Sequence, residues 1–302
     1  MLEIFRRYPL MESLENGMLS FDDMIMVSRD SFESDEPYDV IYSNITVVNA
    51  LFSRQLFSNE ISRGALLSYF VDFYLAQVNN GGFAQFVLNS RWNEEWIGFV
   101  RQGLQDMGAF QHLALFDEGA AIVEALGEDK LLLYFIDDYA AKKPVRNSLN
   151  VINERFFDLE ETENLITLNA DWLKRQPNFS VLSDDDLKAA LDRRAAAVPN
   201  RSEREDAAQN QLPQYIKLIH ELCERSGQKL ERVAMGDPSL FYDGETVRRF
   251  ISGVDDAGTP RKVVWFFVTD KGVHLMGEAN GRAAMFDNRT GFKIAEIDVS
   301  SE

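Results

Sequence analysis

The groups in this 302-residue chain that could bind a metal, move a proton or attack a substrate are 49 carboxylates, three histidines and one cysteine. His112, His220 and His274 fall in separate predicted elements with no metal-ligand spacing between them, and no nucleophile-elbow pattern accompanies them. Cys223 stands alone, which excludes a disulfide framework and a cysteine-based metal site. Its place beside Leu222 in a helical pattern predicts a buried, inert thiol. Asp137-Asp138 and Asp184-Asp185-Asp186 set carboxylates side by side. Neighbours on a helix point in different directions and no EF-hand spacing follows, so they read as solvated helix ends. Carboxylate pairs suited to glycoside hydrolysis are too numerous to choose among. No catalytic residue, cofactor-binding residue or metal ligand is assigned, and no cofactor is expected.

A collective role is what remains for the acids. Glu94, Glu95, Asp117, Glu118, Glu124, Glu128, Asp129, Asp137, Asp138, Asp158, Glu160, Glu161 and Glu163 fall at the ends or on the polar faces of predicted helices. The chain carries a formal net charge of −18, and residues 1–150 hold 22 acidic against 11 basic side chains. Residues 207–302 hold 14 against 12. Such a field repels nucleic acid and anionic membranes and attracts a basic protein surface. Duplex DNA presents about one charge per 1.7 Å of axis and a helix rises about 1.5 Å per residue, so helices bearing several outward carboxylates approximate part of a phosphate array. Solubility is the competing explanation for acidic composition.

Positioning these groups falls to helices arranged around residues 79–89, Asn79-Asn80-Gly81-Gly82-Phe83-Ala84-Gln85-Phe86-Val87-Leu88-Asn89. Leu66, Tyr69, Phe70, Phe73, Tyr74 and Val78 recur at helical spacing before the glycines, and Phe83, Phe86 and Val87 restart the period after them. Two glycines in such a pattern predict a helix–turn–helix corner, with Asn79, Asn80 or a glycine left-handed. A phosphate loop is excluded, because the preceding strand and the following Lys-Ser/Thr are missing. Spacing predicts further helices over residues 21–28 (Ser20 as N-cap), 38–57, 61–78, 93–107, 110–126, 131–139 (broken at Lys142-Lys143-Pro144), 165–173 and 183–197. The polar stretch from Pro199 to Asp206 marks a domain boundary. Beyond it come a helix over 214–225 and six short β-rich runs between residues 229 and 299, joined by connections such as Asp243-Gly244 and Asn280-Gly281 that predict hairpins.

The segment from Gln77 to Ser90, with its Asn-Gly-Gly-Phe-x-Gln-Phe core and the aromatic helix before it, resembles the signature of the DNA-mimic protein family over about residues 38–180. That resemblance implies an all-helical bacterial domain whose acidic surface occupies the DNA-binding site of a regulator. Asn80, Gly81, Gly82, Phe83, Gln85, Phe86 and Asn89 carry the motif, and Gln85 and Asn89 are read as bonding to the corner rather than to a ligand.

The reading is a mainly helical N-terminal domain over 1–200 followed by a smaller α+β domain over 201–302, one helix on an antiparallel sheet. The expected function is a non-catalytic acidic binding protein, by resemblance a DNA mimic, that engages a basic protein surface and neither nucleic acid nor membrane. The absence of a secretory signal or a bilayer-spanning run points to the cytoplasm. Two alternatives stay open: an enzyme or small-ligand protein with a pocket near residues 79–89 or between the domains, and an immunity or assembly protein that uses the β domain.

Overall fold

A computed structural model describes residues 23–135, 139–237, 239–249 and 262–299. The chain forms two compact units, the first ending at Arg204 and the second beginning at Glu205. The first contains β1 (Ile25–Ser28), α1 (Arg29–Glu33), α2 (Pro37–Ser53), α3 (Arg63–Ser90), α4 (Glu94–Asp106), α5 (Phe110–Leu126), α6 (Glu128–Phe135), α7 (Tyr139–Glu160), α8 (Leu165–Lys174), β2 (Phe179–Leu182) and α9 (Asp184–Ala196). Among the described residues no helix is long and apolar enough to cross a membrane.

The span α3 is the hub of this unit. It is buried almost without interruption from Ala65 to Val78, which is why its sequence shows little amphipathic contrast. Its helical geometry fails at Gly81 and Gly82, where the double glycine predicts a break. Gly82 has φ 74° and is the residue in the positive-φ region, while Asn79 and Asn80 keep negative φ. The left-handed role thus goes to a glycine and not to an asparagine, as the absence of a Cβ favours. Tyr74 before the break meets Phe83 and Phe86 after it edge-on, and also Phe116 of α5 and Phe156 of α7. These rings are among the largest fully buried side chains of the core.

Two local expectations are corrected. Residues 21 and 22 lie outside the described set, but Ile25–Ser28 is a strand, not part of a helix. It pairs in parallel with β2, Ile25 opposite Phe179. A short apolar run suits either element, and the partner that decides the matter is about 150 residues away in sequence. The second correction concerns Pro144, which lies inside α7 rather than ending a helix before it. It is the sixth residue of α7, within the first two turns of the described helix.

The polar stretch around residue 204 is itself helical, as α10 (Arg201–Gln211), and α11 (Gln214–Ser226) follows. The second unit then builds a five-stranded antiparallel sheet in the order β3-β6-β7-β8-β9, from Leu230–Asp237, Val264–Thr269, Gly272–Ala279, Arg282–Asp287 and Lys293–Asp298. A separate hairpin pairs β4 (Leu240–Tyr242) with β5 (Val247–Arg249). One sheet face receives Ile216, Ile219 and Leu222 of α11 against Phe267, Met276 and Met285. Cys223 is buried there, and burial pushes its thiol up to about 11. Asn280 and Gly281 both take positive φ at the β7–β8 turn, the conformation that Asn-Gly supplies in tight hairpins. The helix-plus-antiparallel-sheet class that the sequence predicts is what this unit adopts.

Candidate functional site

The double-glycine corner is closed by its own side chains. Breaking the helix frees the Phe83 N–H, which donates to Asn153 Oδ1 of α7 at 2.9 Å. Gly82 packs so tightly on the Asn153 amide that a Cβ there would collide with it, and a Cβ on Gly81 would collide with Gln85. Gln85 Nε2 and Asn89 Nδ2 both donate to Gln77 Oε1, at 3.2 and 2.5 Å. Asn80 is exposed, whereas Phe83 and Phe86 are wholly buried. Asn153 and Gln77 complete the motif from outside it. A helix broken by glycines leaves a backbone donor to be met, which is the signal that could have pointed to a distant amide.

From this corner the chain reaches a surface cleft. Arg91 and Trp92 take two successive left-handed conformations, φ 52° and 50°, between α3 and α4. Bulky residues adopt this conformation rarely. Trp92 is half-buried, with Phe83, Phe86 and Phe116 behind it at ring separations of 6.2 to 6.5 Å. Its indole lines a cavity of about 530 Å³ together with Glu94, Ile97 and Arg101 of α4, Glu124 of α5 and Leu131 of α6. The Arg101 guanidinium is already engaged, because its Nε donates to Asp117 Oδ1 at 2.7 Å and its plane lies over the Phe116 ring at 5.8 Å. Glu94 and Glu124 are exposed and form no ion pair among the described residues.

The other acids singled out in the sequence divide sharply by environment. Glu118 pairs with Arg155 through two contacts, one of 2.9 Å, and the pair holds the carboxyl below its usual range. Glu95 accepts from Ser58 Oγ at 2.6 Å. Glu163 accepts from the Gln111 and His112 N–H groups at 3.0 and 2.9 Å, so it caps α5 from the α7–α8 connection. Glu160 Oε1 sits 3.2 Å from Nε2 of the fully buried His112, close enough for an ion pair yet outside hydrogen-bond alignment. These five acids, Asp117 included, already have partners. Asp129, Asp158 and Glu161 are exposed and form no ion pair among the described residues. Glu128 begins α6, while Asp137 and Asp138 lie outside the described residues.

Glu154, not singled out in the sequence, sits four residues before Asp158 on the same face of α7, and both are exposed. A four-residue step is about 6 Å of helix, against about 3.4 Å between successive phosphates along one DNA strand, so this ridge has roughly half that strand's charge density.

A second polar group lies inside the helical unit. Asn44 of α2 donates to the Ala65 carbonyl at 2.9 Å, and Asn169 of α8 donates to the Ser68 carbonyl at 3.0 Å. One turn further along α3, the Tyr38 hydroxyl bonds to the buried Asp72 carboxyl. Burial pushes Asp72 up to about 6 and Tyr38 up to about 12. Neither residue lines the cleft, so the most perturbed carboxyl is a packing group. Among the described residues no cluster of His, Cys, Asp and Glu could hold a metal ion.

A helical unit with a glycine-broken hub and exposed carboxylates on several helices is what this geometry defines. Residues 59–176 match the family model described as DMP19-like protein, a span that runs from the turn before α3 to just past α8 and contains both corner and cleft. No curated protein and no solved structure matches the chain.

Proposed function

We propose that this protein is a non-catalytic acidic binding protein whose DMP19-like domain occupies the basic, DNA-binding surface of a partner protein in the cytoplasm. The observation that carries the reading is the coincidence of that domain with exposed carboxylates that form no ion pair among the described residues: Glu94, Glu124, Asp129, Asp158 and Glu161. DMP19 is a DNA-mimic family. Asp117 and Glu118 contribute less than their exposure suggests, because Arg101 and Arg155 offset them.

The test is capture of partners by the immobilised full chain, followed by a salt gradient and by competition with duplex DNA. A partner held by carboxylates should lose at least about tenfold in affinity between roughly 50 and 200 mM salt, and DNA should displace the protein from it. A partner that stays bound in high salt and ignores DNA would overturn the reading.

A further inference from the structure

We propose that the cleft between α4, α5 and α6 is the receptor for an arginine side chain of the basic partner. This inference rests on the acidic-binding reading and narrows it to one place and one side-chain type. Three features of the cleft select the guest. Its lining includes the half-buried Trp92, whose indole is a flat π-surface of the kind over which a guanidinium stacks. Its walls include Ile97 and Leu131, which suit the apolar stem that arginine carries. Glu94 and Glu124 form no ion pair among the described residues, and a planar fork of donors fits carboxylates better than a point charge does.

Among the described residues the cation in the lining is Arg101. Arg101 donates to Asp117 at 2.7 Å, so its charge is answered from outside the cleft and the acids of the lining remain in excess. Its placement over Phe116 repeats, within the fold, the arginine–aromatic–carboxylate arrangement proposed for the guest. At about 530 Å³ the cavity has room for an arginine side chain. The corner supports the indole: Phe83 and Phe86, placed by the break at Gly81 and Gly82, pack behind Trp92.

The experiment titrates tetra-arginine and tetra-lysine peptides into the 15N-labelled full chain. It compares the parent with two double variants, Glu94→Gln/Glu124→Gln in the cleft and Asp158→Asn/Glu161→Gln away from it. Tetra-arginine should shift the Trp92 indole N–H and the Ile97 and Leu131 amides. It should bind several-fold more tightly than tetra-lysine and lose roughly tenfold in the cleft variant but under about threefold in the other. Equal losses in both variants, with shifts spread along α7, would overturn the cleft assignment while leaving an acidic binding surface in place. Failure of both peptides to bind at low salt would overturn the cleft and the acidic-binding reading together.

Discussion

In the sheet unit Glu296 of β9 sits between Arg282 and Lys293, Glu278 meets Lys262, and Asp243 meets Arg248. In the helical unit Glu94, Glu124, Asp129, Glu154, Asp158 and Glu161 face solvent without a cation among the described residues. Adjacent strands bring opposite charges within reach of each other, so a sheet surface is readily self-neutralised. A helix that places Glu154 and Asp158 four residues apart gains nothing locally, since like charges at that spacing oppose the helix by about 0.2–0.5 kcal/mol. The contrast separates charge that serves the fold from charge left available to a partner.

Breaking the helical unit at its hub is the strongest way to separate the two regions. Gly82→Ala forces a side chain onto a φ of 74° and into the Asn153 amide that satisfies the Phe83 N–H. Strain and the loss of this part-buried hydrogen bond together should remove about 3 kcal/mol of stability. Chemical denaturation followed through tryptophan and far-UV signals should show the helical transition moving far to lower denaturant while the sheet transition stays in place. A variant that unfolds like the parent would mean that the corner is not what holds the aromatic core.

One acid from each unit, Asp72 and Glu296, should answer pH with opposite sign. The buried Asp72 keeps its proton to about 6, whereas the unfolded chain releases it near 3.8. Between those values the folded state binds more protons, so stability falls as pH rises through the window, by at most about 3 kcal/mol from this group. Glu296 runs the other way. Its bond to Lys293, reinforced by Arg282, holds it below its usual range, so its contribution is present above the unfolded value and lost as pH falls. Asp72→Asn should flatten the decline of stability between pH 4 and pH 6, and parallel curves for parent and variant would refute the assignment.

Much of this architecture is legible in the amino-acid order, for identifiable reasons. Gly81-Gly82 between two aromatic periods announces the break, and Asn280-Gly281 announces a hairpin, because in both cases local backbone chemistry decides. The β1–β2 pair was hidden, since Ile25–Ser28 becomes a strand only through a partner near residue 180. Acidic residues were visible as a set, but their division was not. Nothing in one dimension places Arg155 beside Glu118, sends Glu163 to cap α5, or seats Arg101 between Asp117 and Phe116. The cleft was equally obscure, because Trp92, Glu94, Glu124 and Leu131 converge from separate elements. Nor does the order of residues show that Gln85 and Asn89 donate to Gln77 while Asn153 accepts from the Phe83 N–H.

The smallest expected effect is the sharpest control on the contrast between units. Arg282→Ala removes a cation that reaches Glu296 at 2.7 Å and Asp298 at 3.5 Å. Glu296 keeps Lys293, the side chain is exposed, and exposed pairs contribute little, so the unfolding midpoint should not move measurably. The substitution also makes the protein one charge more negative. If partner binding depended only on total charge, Arg282→Ala would tighten it by about as much as Glu124→Gln loosens it. Dependence on placement predicts an unchanged affinity for Arg282→Ala beside a clear loss for Glu124→Gln, measured at the same ionic strength. Equal and opposite shifts would dissolve the distinction between the paired acids Glu296 and Asp298 and the unpaired Glu124.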